Sequence, residues 1–184
     1  DIQEEMKSYG FRVKWVRPKN IHITLKFLGN IHKADVEKIG DAMSEAVKQH
    51  PPISLTANGI GVFPGIKRPR VIWLGLKGQT FELIELQKGI DETLETIGFP
   101  KEGRPFKAHL TLARTKGNVH SKKLLDMMSK FKTFESETFI ADQVILFKSD
   151  LKPTGAVYTK LANGQLSVVR GQWLVVNGRL SVGP

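Results

Sequence analysis

His22-Ile23-Thr24-Leu25 and His109-Leu110-Thr111-Leu112 set one His-apolar-Thr-Leu frame at two points of a single chain. Each lies in an apolar, β-branched setting that predicts a strand, where residues i and i+2 project from the same face. A histidine and a threonine therefore share a face twice over, while Ile23, Leu25, Leu110 and Leu112 face the other way and anchor the strands in a core. The match extends outward, Asn20 to Phe27 (NIHITLKF) against Lys107 to Arg114 (KAHLTLAR). Only five histidines occur in 184 residues, so two in matched frames read as a duplicated architecture facing one cleft.

Around these anchors, Arg12 to Trp15 and Ile21 to Leu28 are predicted strands separated by a turn at Pro18, and Gly29-Asn30 is expected to end the second. Apolar residues at Val36, Ile39, Met43, Ala46 and Val47 follow the 3.6 period of a helix over Lys33 to His50, which Pro51-Pro52 stops. Strands follow over Ile53 to Phe63 and Arg70 to Leu76, joined by the Pro- and Gly-marked stretch Phe63 to Pro69. A helix over Thr80 to Ile97 carries Leu83, Leu86, Ile90, Leu94 and Ile97 on one face, with Gly98 as its stop. The second motif strand, Ala108 to Ala113, is followed by a helix over Ser121 to Phe131 through Leu124, Leu125, Met128 and Phe131. Phe134 to Phe147 and Gly155 to Leu161 close the pattern. Strands and helices in this order, made in two halves, give an α+β class.

The predicted elements thus form two halves that end at Leu161. Ala162 to Pro184 is atypical, with Asn163-Gly164 and Asn177-Gly178 as hairpin-type pairs and Trp173 to Val176 as a candidate strand. It is read as either a tag-derived extension or a replacement strand.

Composition narrows the chemistry. With no cysteine, disulfides, thiolate metal sites and a cysteine nucleophile are excluded. No stretch approaches the 18 apolar residues of a membrane span, and no signal-peptide core is present near the start, so a soluble cytoplasmic protein without membrane association is expected. The 28 Lys and Arg against 18 Asp and Glu give +10, which favours polyanionic partners through counterion release.

Two imidazoles facing one cleft suit acid–base chemistry near pH 7, one taking a proton while the other gives one. In-line attack of an oxygen nucleophile at phosphorus fits such a pair. Thr24 and Thr111 offer hydroxyl donors to non-bridging oxygens, where charge develops. Arg114 is a bidentate donor for a phosphate, but it shares the face of Thr111 only if the strand is disrupted after Leu112. His32, His50 and His120 lie at element ends, where capping or exposure accounts for them. Neither His-x-His nor His-Glu-x-x-His occurs.

At these residues the chain resembles the 2H phosphoesterase superfamily, and within it the RNA 2′,3′-cyclic phosphodiesterases, also called 2′-5′ RNA ligases or LigT-like proteins. Lys26-Phe27-Leu28-Gly29, Gly61-Val62-Phe63-Pro64 and Arg68-Pro69-Arg70-Val71-Ile72-Trp73 carry the resemblance further, over about residues 1–161. It implies one bilobal domain over residues 1–161, with two pseudo-twofold-related antiparallel-sheet lobes, helices outside and a central groove. Against the family's pattern of a short strand and a helix leading into this region, the first strand and part of the first helix are expected to be absent from the sequence that starts at Asp1.

The implied reaction opens a terminal RNA 2′,3′-cyclic phosphate to a 2′-phosphate without metal or other cofactor, with reversible 2′-5′ joining of tRNA halves as a second activity. By position His22 is the general acid and His109 the base, Thr24 and Thr111 hold the phosphate, and Arg114 matches an arginine that commonly follows the second motif. Phe27, Phe63 and Trp73 are candidates for stacking a terminal base, and Lys67, Arg68 and Arg70 for backbone contacts. A monomer acting on RNA is the expectation. The alternatives are a cyclic phosphodiesterase for a small nucleotide or ADP-ribose cyclic phosphate, a non-catalytic RNA-binding module, and a metallohydrolase.

Overall fold

A computed structural model describes residues 2–152, 155–166 and 172–181. In chain order the elements are α1 (Ile2–Lys7), β1 (Val13–Trp15), β2 (Ile23–His32), α2 (Asp35–Val47), β3 (Ile53–Phe63), β4 (Val71–Gly78), α3 (Thr80–Thr96), β5 (Leu110–Thr115), α4 (Ser121–Lys130), β6 (Glu135–Lys152), β7 (Gly155–Gln165) and β8 (Gln172–Ser181). The chain forms two compact units: Asp1–Ile21, Thr56–Lys77 and His109–Thr138 make the first, and His22–Leu55, Gly78–Ala108 and Phe139–Pro184 the second. His109 falls in the first unit and His22 in the second, one motif to each. The α+β class holds in both.

In the first unit, β5 is the central strand, paired antiparallel with β1 and with β4. Strand β3 is hydrogen-bonded to β4. Of the face expected on α4, Leu124 and the C-capping Phe131 are buried, Met128 is half-buried and Leu125 is exposed; buried Met127 completes the stripe in place of Leu125. From α1, buried Gln3 donates its Nε2 to the carbonyls of Val16 (2.9 Å) and Leu112 (3.0 Å).

The second unit pairs β6 antiparallel with β7, while β8 lies between β2 and β6 and parallel to both. Helices α2 and α3 pack together here. Leu83, Leu86, Ile90 and Leu94 of α3 are fully buried, as the 3.6 period predicts, each worth about 1.5–3 kcal/mol as an upper bound. Gly98 follows the helix at φ 97°, the left-handed C-terminal stop that glycine supplies.

Two glycine readings change. Gly29-Asn30 does not end β2, which continues to His32; Gly29 at φ 70° sits at a register shift, so its conformational freedom serves a bulge rather than a turn. Asn163-Gly164 is not a hairpin turn either, because both residues pair with β6 inside β7. A Cβ on Gly164 would lie 2.7 Å from Val47 Cγ2 and 3.2 Å from Ser44 Cα. Glycine is there because α2 crosses the strand at close range. Asn177-Gly178 likewise lies within β8.

Candidate active site

Both tetrapeptides enter strands with the burial expected of them. Ile23, Leu25, Leu110 and Leu112 are buried, while the histidines and threonines are half-buried. The six positions from Ile23 to Leu28 and from Leu110 to Thr115 repeat one order of burial: buried, half-buried, buried, buried, exposed, half-buried. Strict alternation does not give two adjacent buried residues, and the registers show why it fails.

Along β4, Trp73 pairs with Thr111, Ile72 with Ala113 and Val71 with Arg114, so Leu112 is an extra residue opposite no partner. This is a β-bulge. Val71 and Trp73 are two apart and share a face, hence Thr111 and Arg114 share it too. The disruption that Arg114 needs in order to join the threonine is present. Leu112's carbonyl accepts hydrogen bonds from Val16 N–H (2.8 Å) and from the Gln3 side chain, which secures the bulge. In the other unit, Thr24 pairs with Val175 and Lys26 with Val176, making Leu25 the extra residue, and Phe27 pairs with Asn177. Phe27 therefore shares the face of Thr24, 62% exposed. The fifth residue after each histidine, Phe27 or Arg114, is thus brought to the threonine's side by the same device.

His109 is held by aromatic rings of its own unit. Its ring meets Phe63 at 5.0 Å with planes 88° apart and Trp73 at 6.1 Å and 63°, and Phe63 and Trp73 lie 4.9 Å from each other. The indole of Trp73 lies directly on Gly61 of β3, where a Cβ would fall within the ring, 2.6 Å from Cε2. Gly61 is the residue that lets the tryptophan lie flat enough to reach the histidine. Phe63 and Trp73 thus spend part of their surface on His109. Lys67 and Arg68 are exposed on the connection from β3 to β4, and exposed Arg70 accepts the Thr115 N–H through its carbonyl (3.0 Å).

His22 has a different neighbour, Tyr158 of β7, with ring centroids 5.2 Å apart and planes at 83°. Tyr158 also packs against buried Ile145 and Phe147, so the contact ties the histidine to the core of its unit. No spacing in the sequence marks Tyr158. Lys26 is 2% exposed and donates its ammonium to Asp91 of α3 and to the Pro100 carbonyl (2.7 Å). The other Asp91 oxygen accepts the Glu102 N–H (3.1 Å), and Glu102 accepts the Phe27 N–H (3.3 Å). This buried pair, closed by charge-assisted hydrogen bonds, fixes the residues after Thr24 to the 100–102 segment.

Among the described residues, no three His, Asp or Glu side chains are grouped to hold a metal ion, and no helix is long and apolar enough to cross a membrane.

Comparison with known proteins bears on these motifs. The family model for LigT-like phosphoesterases matches residues 1–73 and 75–158. An RNA 2′,3′-cyclic phosphodiesterase of Methanothermobacter thermautotrophicus is 33% identical over 161 residues, 87% of this chain and 86% of that protein. Another of the same name, from Methanocaldococcus jannaschii, is 38% identical over 157 residues, 85% of this chain and 86% of its own length. A solved structure from Thermus thermophilus superposes with a TM-score of 0.71 at 25% identity, covering 90% of this chain and 88% of that one. The Escherichia coli LigT structure with 3′-AMP gives 0.61 at 21% identity, covering 91% and 92%, a likeness of fold.

Proposed function

The chain belongs to the LigT-like phosphoesterases, and from that premise we propose that it hydrolyses the 2′,3′-cyclic phosphate at an RNA end to a 2′-phosphate. Water attacks phosphorus in line with the 3′-oxygen. His109 takes the water proton as general base, and His22 protonates the departing 3′-oxygen as general acid. Thr24 and Thr111 donate hydroxyl hydrogen bonds to the non-bridging oxygens, and Arg114 adds a charged donor for the charge that develops there. With a 5′-hydroxyl in place of water, the same attack on the cyclic phosphate performs 2′-5′ joining with the roles kept, and the reverse, attack of the 3′-hydroxyl on that linkage to re-form the cyclic phosphate and release the 5′-hydroxyl, exchanges them.

The observation that carries this reading is the repeated bulge. In each unit it brings the fifth residue after the His onto the face of the Thr, with Arg114 beside Thr111 and exposed Phe27 beside Thr24. An arginine next to one threonine suits a phosphate, and an exposed ring next to the other suits a base, since stacking on aromatic side chains is a sequence-tolerant way to hold a nucleotide.

Residues 1–161 are taken as the active domain, with residues 162–165 and Gln172–Ser181 adding strand pairing. A monomeric, cytoplasmic enzyme acting on RNA ends such as those of tRNA halves completes the proposal.

The test is incubation with an RNA ending in a 2′,3′-cyclic phosphate and identification of the product. A 2′-phosphate end, formed in the presence of chelator, is the expected result. A 3′-phosphate end would reverse the leaving group and overturn the acid assignment, and an unchanged cyclic end would remove the activity.

A further inference from the structure

The chain's positive charge is unevenly divided. Counted along the sequence, the first unit holds 15 Lys and Arg against 6 Asp and Glu, and the second holds 13 against 12. Nearly all of the net charge therefore sits in the unit that carries His109. Three of its acidic side chains, Glu4, Glu5 and Glu135, are engaged by Lys7, Lys130 and Lys77.

The strand registers collect part of this excess on one face. Lys14 of β1 pairs directly with Arg114 of β5. Two positions further along each strand direction, Lys116 donates its N–H to the Arg12 carbonyl (2.8 Å), which sets Arg12 opposite Lys116. Cross-strand partners, and residues two apart, share a face. Arg12, Lys14, Arg114 and Lys116 consequently lie on one side of the β1–β5 ribbon. Through the bulge at Leu112 it is also the side of Thr111. Like charges set directly opposite one another weaken strand pairing, and a polyanion lying across two such pairs in succession would offset that cost.

We propose that this face is a track for the sugar–phosphate backbone of the RNA, holding the nucleotides 5′ to the reacting end. Lys116 stands seven residues beyond His109, about 23 Å along a strand at ~3.3 Å per residue. That is too far to touch the cyclic phosphate and is the right scale for phosphates several nucleotides upstream. The track deepens the RNA reading of the active site and rests on it. Its recognition is of backbone charge rather than sequence, since Lys and Arg contacts to phosphate carry no base information.

The experiment uses the full chain and the variant Arg12→Glu/Lys116→Glu, two residues outside the catalytic assignments. Binding of a fluorescent 12-nucleotide RNA ending in a 3′-hydroxyl is followed by anisotropy from 50 to 200 mM salt, and turnover is followed on a nucleoside 2′,3′-cyclic monophosphate. The expected result is RNA binding weakened at least 10-fold, a slope of log K against log salt shallower by about 1.4 for two lost single-strand contacts, and unchanged turnover of the monophosphate. Unchanged RNA affinity and slope would overturn the track. An equal loss in Lys33→Glu/Lys88→Glu, which makes the same charge change in the second unit, would overturn it too by reducing the effect to net charge. If an RNA ending in a 2′,3′-cyclic phosphate is not turned over even by the parent chain, the enzymatic reading fails, yet the 3′-hydroxyl RNA still decides the track. Should the double Glu variant fail to fold, Arg12→Gln/Lys116→Gln carries the same comparison, with the same expected slope change.

Discussion

Replacing Gly61 with alanine tests how His109 is held. The added methyl would lie inside the indole of Trp73, 2.6 Å from Cε2, where carbon–carbon contacts settle near 3.5–4.0 Å. The ring must therefore retreat by roughly 1 Å or more. Among the described residues the buried Trp73 Nε1 has no hydrogen-bond partner, so packing is what holds the indole against that movement. Overpacking of this kind costs about 1–3 kcal/mol, against which alanine recovers about 0.4–1 kcal/mol by restricting the unfolded chain. A net loss of about 1–2 kcal/mol lowers Tm by roughly 2–8 °C at this chain length.

The larger effect falls on the reaction, since Trp73 and Phe63 both press on the His109 ring. A misplacement near 1 Å costs on the order of 100-fold, so kcat on a cyclic-phosphate RNA should fall by roughly 10- to 100-fold while KM changes little. Trp73→Phe removes the atoms that collide with the methyl. The double variant Gly61→Ala/Trp73→Phe should therefore be faster than Gly61→Ala alone, a non-additivity that only contacting residues show. A folded Gly61→Ala enzyme with parental kcat, or two strictly additive single effects, would refute the idea that the glycine positions the histidine through the tryptophan.

Other perturbations separate stability from chemistry. Lys26→Met leaves the Asp91 carboxylate buried with the Glu102 N–H as its remaining described partner, and should destabilise by about 3–5 kcal/mol in urea unfolding. Adding Asp91→Leu should recover most of that loss, and a single variant within about 1 kcal/mol of the parent would deny the pair its structural weight. Gly164→Ala forces α2 away from β7 through Val47 and Ser44; thermal unfolding should show a loss of about 1–3 kcal/mol, with turnover at low temperature kept, and a neutral variant would mean the helix is free to shift. His22→Ala and His109→Ala should each lower turnover by about 10²- to 10⁴-fold with unchanged circular dichroism, and near-parental turnover in either would remove that residue from the acid–base pair.

The elements were legible wherever one period ran unbroken. The α3 stripe of Leu83, Leu86, Ile90 and Leu94 emerges fully buried, because a helix face needs only the 3.6 repeat to be read. The motifs themselves were legible for a different reason, as a repeated frame needs no knowledge of packing. What escaped was each feature that depends on a distant partner. Asn163-Gly164 spells a turn locally, but its glycine answers to Val47 and Ser44 on a helix more than a hundred residues earlier. Lys26 carries no local sign of burial, since lysine is rarely buried unless paired, and its partner Asp91 lies 65 positions away.

The bulges show why the most consequential geometry was out of reach. Period two predicts that Arg114 faces away from Thr111, and that prediction is correct for an unbroken strand. One extra residue in β5 relative to β4 reverses it for everything downstream, and the same slip at Leu25 in β2 turns Phe27 outward. No single residue type announces the slip. It is set by pairing, with Leu112's carbonyl taken by Val16 and by Gln3 from the far end of the chain. The chemistry of each motif therefore depends on a register that the tetrapeptide does not encode: His-x-Thr supplies the acid–base and hydroxyl groups, and the bulge decides which fifth residue, an arginine or an aromatic ring, joins them.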